Sequence, residues 1–133
     1  MAEAELLRRK LMLELTVLKR YHNIVPGLAV IQVGNNAVSS IYVRKKLEAC
    51  RELGITSYEY NLDAKIHQRN LISKIESLNN NPRVHGILVQ LPLPEHIDAQ
   101  EVMDSIDTYK DVDGLNIENI GKLALNMHDT LIP

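Results

Sequence analysis

The sequence predicts an α/β fold of three layers, a mainly parallel sheet flanked by helices within a single domain. Three observations carry this expectation. Helical and strand-like patterns alternate along the chain in the order α-β-α-β-α-β-α. Two of the strand-like segments, LAVIQV (28–33) and GILVQ (86–90), are nearly continuous apolar runs, the pattern of strands covered on both faces. The chain has 133 residues, 45% hydrophobic and 24% charged, which suits one globular domain. A chain of this length buries roughly two-thirds of its unfolded surface and needs no disulfide or metal to hold it.

The elements follow in order. Leu7, Leu11, Leu15 and Leu18 form an apolar stripe at helical spacing, which predicts an amphipathic helix over about 3–22. Pro26-Gly27 interrupts it, and the first strand fills 28–33 between Gly27 and Gly34. Asn35-Asn36 reads as a turn and helix start. The second helix spans 37–53 and stops at Gly54, a residue type suited to the left-handed conformation after a helix. ITSYEYN (55–61) alternates as a second strand. Leu71, Ile72, Ile75 and Leu78 predict a third helix over about 64–79, ended by Asn79-Asn80-Asn81-Pro82. The third strand, 86–90, runs into LPLP, which is extended because residues before proline avoid the α region. A short helix near 98–105, a DVDG turn and a final stripe of Ile117, Ile120 and Leu123 complete the chain. Ligands of such sheets bind beyond the C-terminal ends of the strands, which points to Gly34–Ser40 and to Gln90–Leu93.

Composition narrows the function classes. With 15 Lys and Arg against 17 Asp and Glu, the net charge of −2 gives no attraction for a phosphate backbone. Phe and Trp are absent, so no aromatic platform for single strands is expected. The single cysteine, Cys50, reads as a small core hydrophobe and fits a reducing compartment. The start, MAEAELLRRK, reads as neither a signal nor a transit peptide. Tyr21–Val43 is free of charged side chains, but its Asn, Gln, Pro and Gly residues would break a lipid-facing helix, so no membrane span is expected. The five histidines, at 22, 67, 85, 96 and 128, show no ligand spacing, so no metal site is expected. Neither GxGxxG nor GxxxxGK[ST] occurs.

One anomaly stands out on the second helix. With Tyr42 placed at 0° on a helical wheel, Val38, Ala49, Leu53, Cys50, Val43 and Leu47 define an apolar arc from about −40° to about 140°. Lys46 falls inside it at about 40°, while Arg44, Glu48 and Arg51 lie on the opposite side. Tyr42 and Lys46 are i, i+4 neighbours on one surface. A lysine in an apolar wall has its pKa lowered and becomes a usable base or acid. The plainer reading is a lysine whose stem covers apolar surface while its amine reaches water. Gln90, at a strand's C-terminal end, suits orientation of such a lysine or of a substrate group; equally, it is a satisfied edge glutamine. Asp113, in Asp111-Val112-Asp113-Gly114, reads on spacing alone as a turn residue.

Three blocks then match a known family in order and spacing, over about residues 26–125. They are PGLAVIQVGNNAVSSIYVRKKLEACRELGI, VHGILVQLPLPEHID and KDVDGLNIENIGKLAL. They resemble the substrate domain of bifunctional methylenetetrahydrofolate dehydrogenase/methenyltetrahydrofolate cyclohydrolases. The family's S-x-x-Y-x-x-x-K pattern is met by Ser39, Tyr42 and Lys46, its VQLP by Val89, Gln90, Leu91 and Pro92, and its DVDG by Asp111 to Gly114. The resemblance implies Lys46 as catalytic acid/base, Gln90 as its support, and Tyr42 packed on the folate. It further implies Asp113 on the pterin, and Ser39, Val89, Leu91 and Pro92 around the substrate. The implied chemistry is oxidation of 5,10-methylenetetrahydrofolate with NADP or NAD, then hydrolysis of the methenyl product to 10-formyltetrahydrofolate, a step in one-carbon metabolism and purine biosynthesis.

The sequence departs from the family pattern at both ends. The family's short first strand and DGK-like segment are not seen before the first helix. The chain ends at Leu131-Ile132-Pro133, where the family continues into a nucleotide-binding domain. The expectation is therefore a catalytic domain over 1–133 without that second domain, which would bind neither nicotinamide cofactor nor perform the dehydrogenase step alone. The resemblance also implies a homodimeric parent enzyme and a cytoplasmic location, with a mitochondrial one left open. Two rival readings are a non-catalytic folate-binding fragment and a flavodoxin-like interaction domain. The latter finds no acidic cluster at the strand ends, where Gly34 and Gln90 stand.

Overall fold

A computed structural model describes residues 2–112. Its elements are α1 (Ala2–His22), β1 (Gly27–Val33), α2 (Ala37–Leu53), β2 (Thr56–Leu62), α3 (Gln68–Asn79), β3 (Gly86–Val89) and α4 (Ala99–Asp104). The strands form one parallel sheet in the order β2-β1-β3. Beyond β3, Asp111 makes an isolated parallel bridge with Ile87.

β1 is the centre of the molecule, and all seven of its residues are buried. Its side chains alternate between two cores. Leu28 and Val30 face α1 and α2, packing with Leu15, Leu18, Val43, Cys50, Leu53 and Leu88. Ala29, Ile31 and Val33 face α3 and α4, packing with Leu71, Ile75, Leu78, Val84, Ile87, Val89 and Val102. The expected three layers are therefore present. Leu15 and Leu18 are the inward residues of the α1 stripe. The side chains of Leu7 and Leu11 lie outside the described residues, as do Asp113, Gly114 and the stripe of Ile117, Ile120 and Leu123.

Local chemistry explains most boundaries. Asn36 caps α2, its Oδ1 accepting from the Ser39 amide at 3.0 Å, and Gly54 ends the helix at φ 75°. Asp98 caps α4 through the Glu101 amide. α1 ends at Asn23, with φ 55°. α3 begins four residues later than the apolar periodicity suggests. The cause is Asp63, whose Oδ1 accepts from the Lys65 amide and whose carbonyl accepts from Ile66, closing a turn over 63–66 that competes with the helix.

At the N-terminal end of the sheet sit two buried titratable groups. Lys110 donates to the carbonyls of Leu78 at 3.2 Å and Asn81 at 2.9 Å, satisfying main-chain groups at the end of α3. Burial lowers its pKa, an effect partly offset by Asp107. His85 Nδ1 accepts from the Gly27 amide at 3.0 Å, while the His85 amide donates to the Gly27 carbonyl at 2.8 Å. Burial, reinforced by the Lys110 charge, lowers the His85 pKa. An Nδ1 that accepts must be unprotonated, so the geometry also demands a neutral ring.

As pH falls through about 6.5, the unfolded chain takes up a proton that the folded chain refuses until lower pH. The His85 contribution is therefore fully present above that value and is lost as pH falls towards the depressed folded pKa. Thermal melts between pH 7.5 and 5.5 should show a melting temperature falling by a few degrees. In His85→Asn, which keeps an acceptor near the Gly27 amide and does not titrate, that fall should shrink. An unchanged slope in the variant would place the acid sensitivity elsewhere.

Candidate active site

The order β2-β1-β3 creates a topological switch point. After β1 the chain turns through α2 towards β2 on one side, whereas β3 lies on the other. The crevice between the C-terminal ends of β1 and β3 is where open α/β sheets place ligands. Gly34–Ser40 follows β1 and Gln90–Leu93 follows β3, so both segments singled out in the sequence border one crevice.

α2 carries Lys46 there. The helix's buried residues are Ser39, Val43, Lys46, Cys50 and Leu53. That set centres the buried face at about 60° on the wheel, near the middle of the expected arc, and narrows it to about 20–100°. Two residues of the expected arc are corrected accordingly: Val38 is 60% exposed and Tyr42 52% exposed. The narrower face makes the lysine more anomalous, since Lys46 is 7% exposed and stands within it. Its amine is not simply directed to water. Lys46 Nζ donates to Gln90 Oε1 at 2.6 Å, and burial lowers the lysine's pKa.

Gln90 is held from both sides. Its backbone amide donates to the Ile31 carbonyl at 2.8 Å, anchoring it to β1. Its side-chain Nε2 donates to the Leu91 carbonyl at 3.0 Å. With the nitrogen so engaged, the oxygen faces Lys46. The same Leu91 carbonyl accepts from Ser39 Oγ at 3.3 Å, which links the first turn of α2 to the segment after β3. The Leu91–Pro92 peptide within that segment is cis.

The other sequence candidates divide. Tyr42 stands one turn before Lys46, and with exposed Val38, Ile41 and Leu91 it leaves apolar surface uncovered near a buried amine. Pro92 is exposed. Val89 is not at the crevice through its side chain, which packs in the core under α3 and α4. Asp113 lies outside the described residues. Cys50 is fully buried and its thiol is pushed up to about 11, as befits a core residue. Among the described residues no group of three or more His, Cys, Asp or Glu is placed to hold a metal. Nor is any helix among them long and apolar enough to cross a membrane. A cavity of about 240 Å³ between α1 and the end of α2, lined by Met12, Leu15, Ile24 and Leu53, lies at the opposite end of the sheet.

Sequence reasoning missed Gln32 and Ser40. Gln32 Nε2 donates to Ser40 Oγ at 3.0 Å, and Ser40 Oγ donates to the Asn36 carbonyl at 2.9 Å. The signal was present as a lone amide inside the apolar run LAVIQV.

Comparison with known proteins identifies the family. The family model described as the catalytic domain of tetrahydrofolate dehydrogenase/cyclohydrolase matches residues 2–113. The bifunctional protein FolD of Zymomonas mobilis is 48% identical over 127 residues, covering 96% of this chain and 42% of that protein. The bifunctional protein FolD 2 of Arabidopsis thaliana is 45% identical over 130 residues, covering 98% and 44%. The chain thus spans about two fifths of the length of these relatives. Among solved structures, the FolD methylenetetrahydrofolate dehydrogenase/cyclohydrolase of Campylobacter jejuni superposes with a TM-score of 0.81 at 43% identity, covering 88% of this chain and 42% of that one. The Trypanosoma brucei enzyme, complexed with NADP cofactor and inhibitor, gives 0.79 at 35% identity, covering 84% and 38%. With the family model matching all of the described residues, the chain belongs to the tetrahydrofolate dehydrogenase/cyclohydrolase family, through its catalytic domain.

Proposed function

We propose that this chain forms the folate-binding catalytic domain, over 1–133, of an enzyme that oxidises 5,10-methylenetetrahydrofolate and hydrolyses the methenyl product to 10-formyltetrahydrofolate. The observation that carries the reading is the buried Lys46 amine bonded to Gln90 Oε1 at the switch-point crevice. A nicotinamide cofactor, NADP or NAD, would accept the hydride of the oxidation. The 133 residues offer no glycine-rich phosphate loop to hold one, so a second domain would bind it and only the hydrolytic half is derived from these residues.

In that half, water adds to the methenyl carbon and loses a proton. The bond from that carbon to N5 then breaks as N5 takes up a proton, leaving the formyl group on N10. Burial lowers the Lys46 pKa and so favours its neutral form, which accepts the first proton and returns one to N5. The second water proton leaves to solvent as the carbonyl forms. Gln90 Oε1 holds one amine N–H, which turns the nitrogen lone pair away from the protein and towards substrate. Tyr42 and the exposed apolar residues beside it supply the surface on which the folate ring system stacks. Ser39, Leu91 and Pro92 border the substrate, Val89 contributes through its main chain, and Asp113 anchors the pterin by hydrogen bonds. The parent enzyme is a homodimer of the cytoplasm in this reading.

The test is the absorbance of 5,10-methenyltetrahydrofolate on adding the chain, with calorimetry in parallel. Saturable binding together with faster loss of the methenyl band is expected. Binding without faster hydrolysis would overturn the catalytic role in favour of a folate-binding module, and absence of both would overturn the reading altogether.

A further inference from the structure

A buried amide in the central strand borders the crevice, and the proposed chemistry does not use it. Gln32 is 6% exposed and occupies the same face of β1 as Leu28 and Val30, where an apolar side chain would pack without desolvating a polar group. Its Nε2 reaches Ser40 Oγ, and from there a connected run of hydrogen bonds leads to the lysine. Ser40 Oγ donates to the Asn36 carbonyl, and Asn36 Oδ1 caps the Ser39 amide. Ser39 Oγ donates to the Leu91 carbonyl, which also accepts from Gln90 Nε2, and Gln90 Oε1 accepts from Lys46.

We propose that Gln32 is a positioning residue for Lys46: by pinning Ser40 it fixes the first turn of α2, and through Ser39 and the Leu91 carbonyl it fixes which end of the Gln90 amide faces the lysine.

The logic lies in the Gln90 side chain. An amide has a donor end and an acceptor end of nearly equal size, and only the acceptor end suits the lysine. The choice is made by the Leu91 carbonyl, which must sit where Nε2 can reach it. That carbonyl is held to α2 by Ser39, and Ser39 lies within the capping turn that Gln32 and Ser40 secure from below. Ser39 and Lys46 are seven residues apart, two turns along one face, so a displaced first turn and a displaced amine are coupled through the rigid helix.

The proposal rests on the role given to Lys46 above, and its test separates the two. Gln32→Met keeps the length and removes the donor; Ser40→Ala removes the acceptor from the other side, in case the first variant folds poorly; Ser40→Thr keeps the hydroxyl. The first readout needs no activity: exchange of the Gln90 side-chain amide protons, followed by nuclear magnetic resonance. Exchange should quicken by about two- to tenfold in Gln32→Met and Ser40→Ala, the factor that corresponds to one hydrogen bond, and stay as in the parent in Ser40→Thr. The second readout is methenyltetrahydrofolate hydrolysis, where kcat should fall by a similar factor with KM unchanged. The double variant should be no worse than the worse single one, since both break one link. A lowered melting temperature with unchanged Gln90 exchange and kcat would make Gln32 a packing residue and overturn the proposal. If instead Lys46→Met left hydrolysis intact, the role of Lys46 would fall, while the Gln90 exchange would still report whether Gln32 sets that amide.

Discussion

Lys46→Met is expected to lower methenyltetrahydrofolate hydrolysis by about 10²–10⁴-fold, the range that a positioned acid–base group contributes, without loss of the fold. The second half of that expectation is the less obvious one. Lys46 is buried among the apolar residues of α2, and burial lowers its pKa. Between that lowered value and the ordinary lysine value the unfolded chain holds the proton more tightly, so stability rises with pH across this window and the ammonium is a burden below it. Methionine fills the same volume with no charge to desolvate. Gln90, half-buried, can turn its freed oxygen to water. The variant should therefore melt at or above the temperature of the parent while losing activity, the trade expected of a residue kept for chemistry rather than for packing. In the parent, hydrolysis should rise with pH through the lowered lysine pKa and then level off; in the variant that rise should vanish. A variant retaining full activity would remove Lys46 from the role assigned to it, and one that unfolds would overturn the expectation that the buried ammonium is a burden.

The parts of the molecule that could be read from the sequence share a local physical signal. The sequence predicts α2 over 37–53, the range observed, because each end carries its own chemistry, the Asn36 cap and the left-handed Gly54. Lys46 was visible because a charge inside an apolar arc breaks a period that the rest of the helix keeps. The same periodicity misplaced Tyr42 and Val38. It counts apolar residues and cannot tell an apolar face turned to the core from apolar residues left at a crevice. The start of α3 was missed because one carboxylate, Asp63, closes a turn that the leucine spacing does not register. The links between distant segments were not legible at all. Lys110 closing the end of α3 and Ser39 reaching Leu91 each join residues about thirty or fifty positions apart, and no short-range pattern encodes them. Gln32 belongs to both kinds. Its amide was in plain view within an apolar strand, but its meaning depends on which helix turn lies above it.

The largest loss of stability from a single methyl group is expected at Gly27→Ala. Gly27 opens β1, the central strand, and an added Cβ would meet the Arg83 carbonyl oxygen at 2.1 Å and Tyr58 Cε2 at 3.1 Å. The first of these is main chain, in the turn that leads into β3, and it cannot rotate away as a side chain does. Relief requires β1 and the Arg83 turn to separate. Separation stretches the reciprocal pair between Gly27 and His85, in which each residue's amide donates to the other, one to the ring and one to the carbonyl. Steric overlap and broken buried hydrogen bonds therefore add, and a loss of about 3 kcal/mol or more is expected, a fall in melting temperature of roughly 10 °C. Gly54→Ala provides the contrast. Nothing lies within 4 Å of its would-be Cβ, and the difficulty there is only the φ of 75°. A left-handed alanine costs about 1 kcal/mol. Ranking the two by thermal melts thus separates backbone collision from backbone conformation. Equal losses would mean that the Arg83 turn yields easily and that the close approach of the two main chains is incidental. Because Gly27 lies at the opposite end of β1 from the Lys46 crevice, Gly27→Ala held below its melting point should still bind methenyltetrahydrofolate with the affinity of the parent.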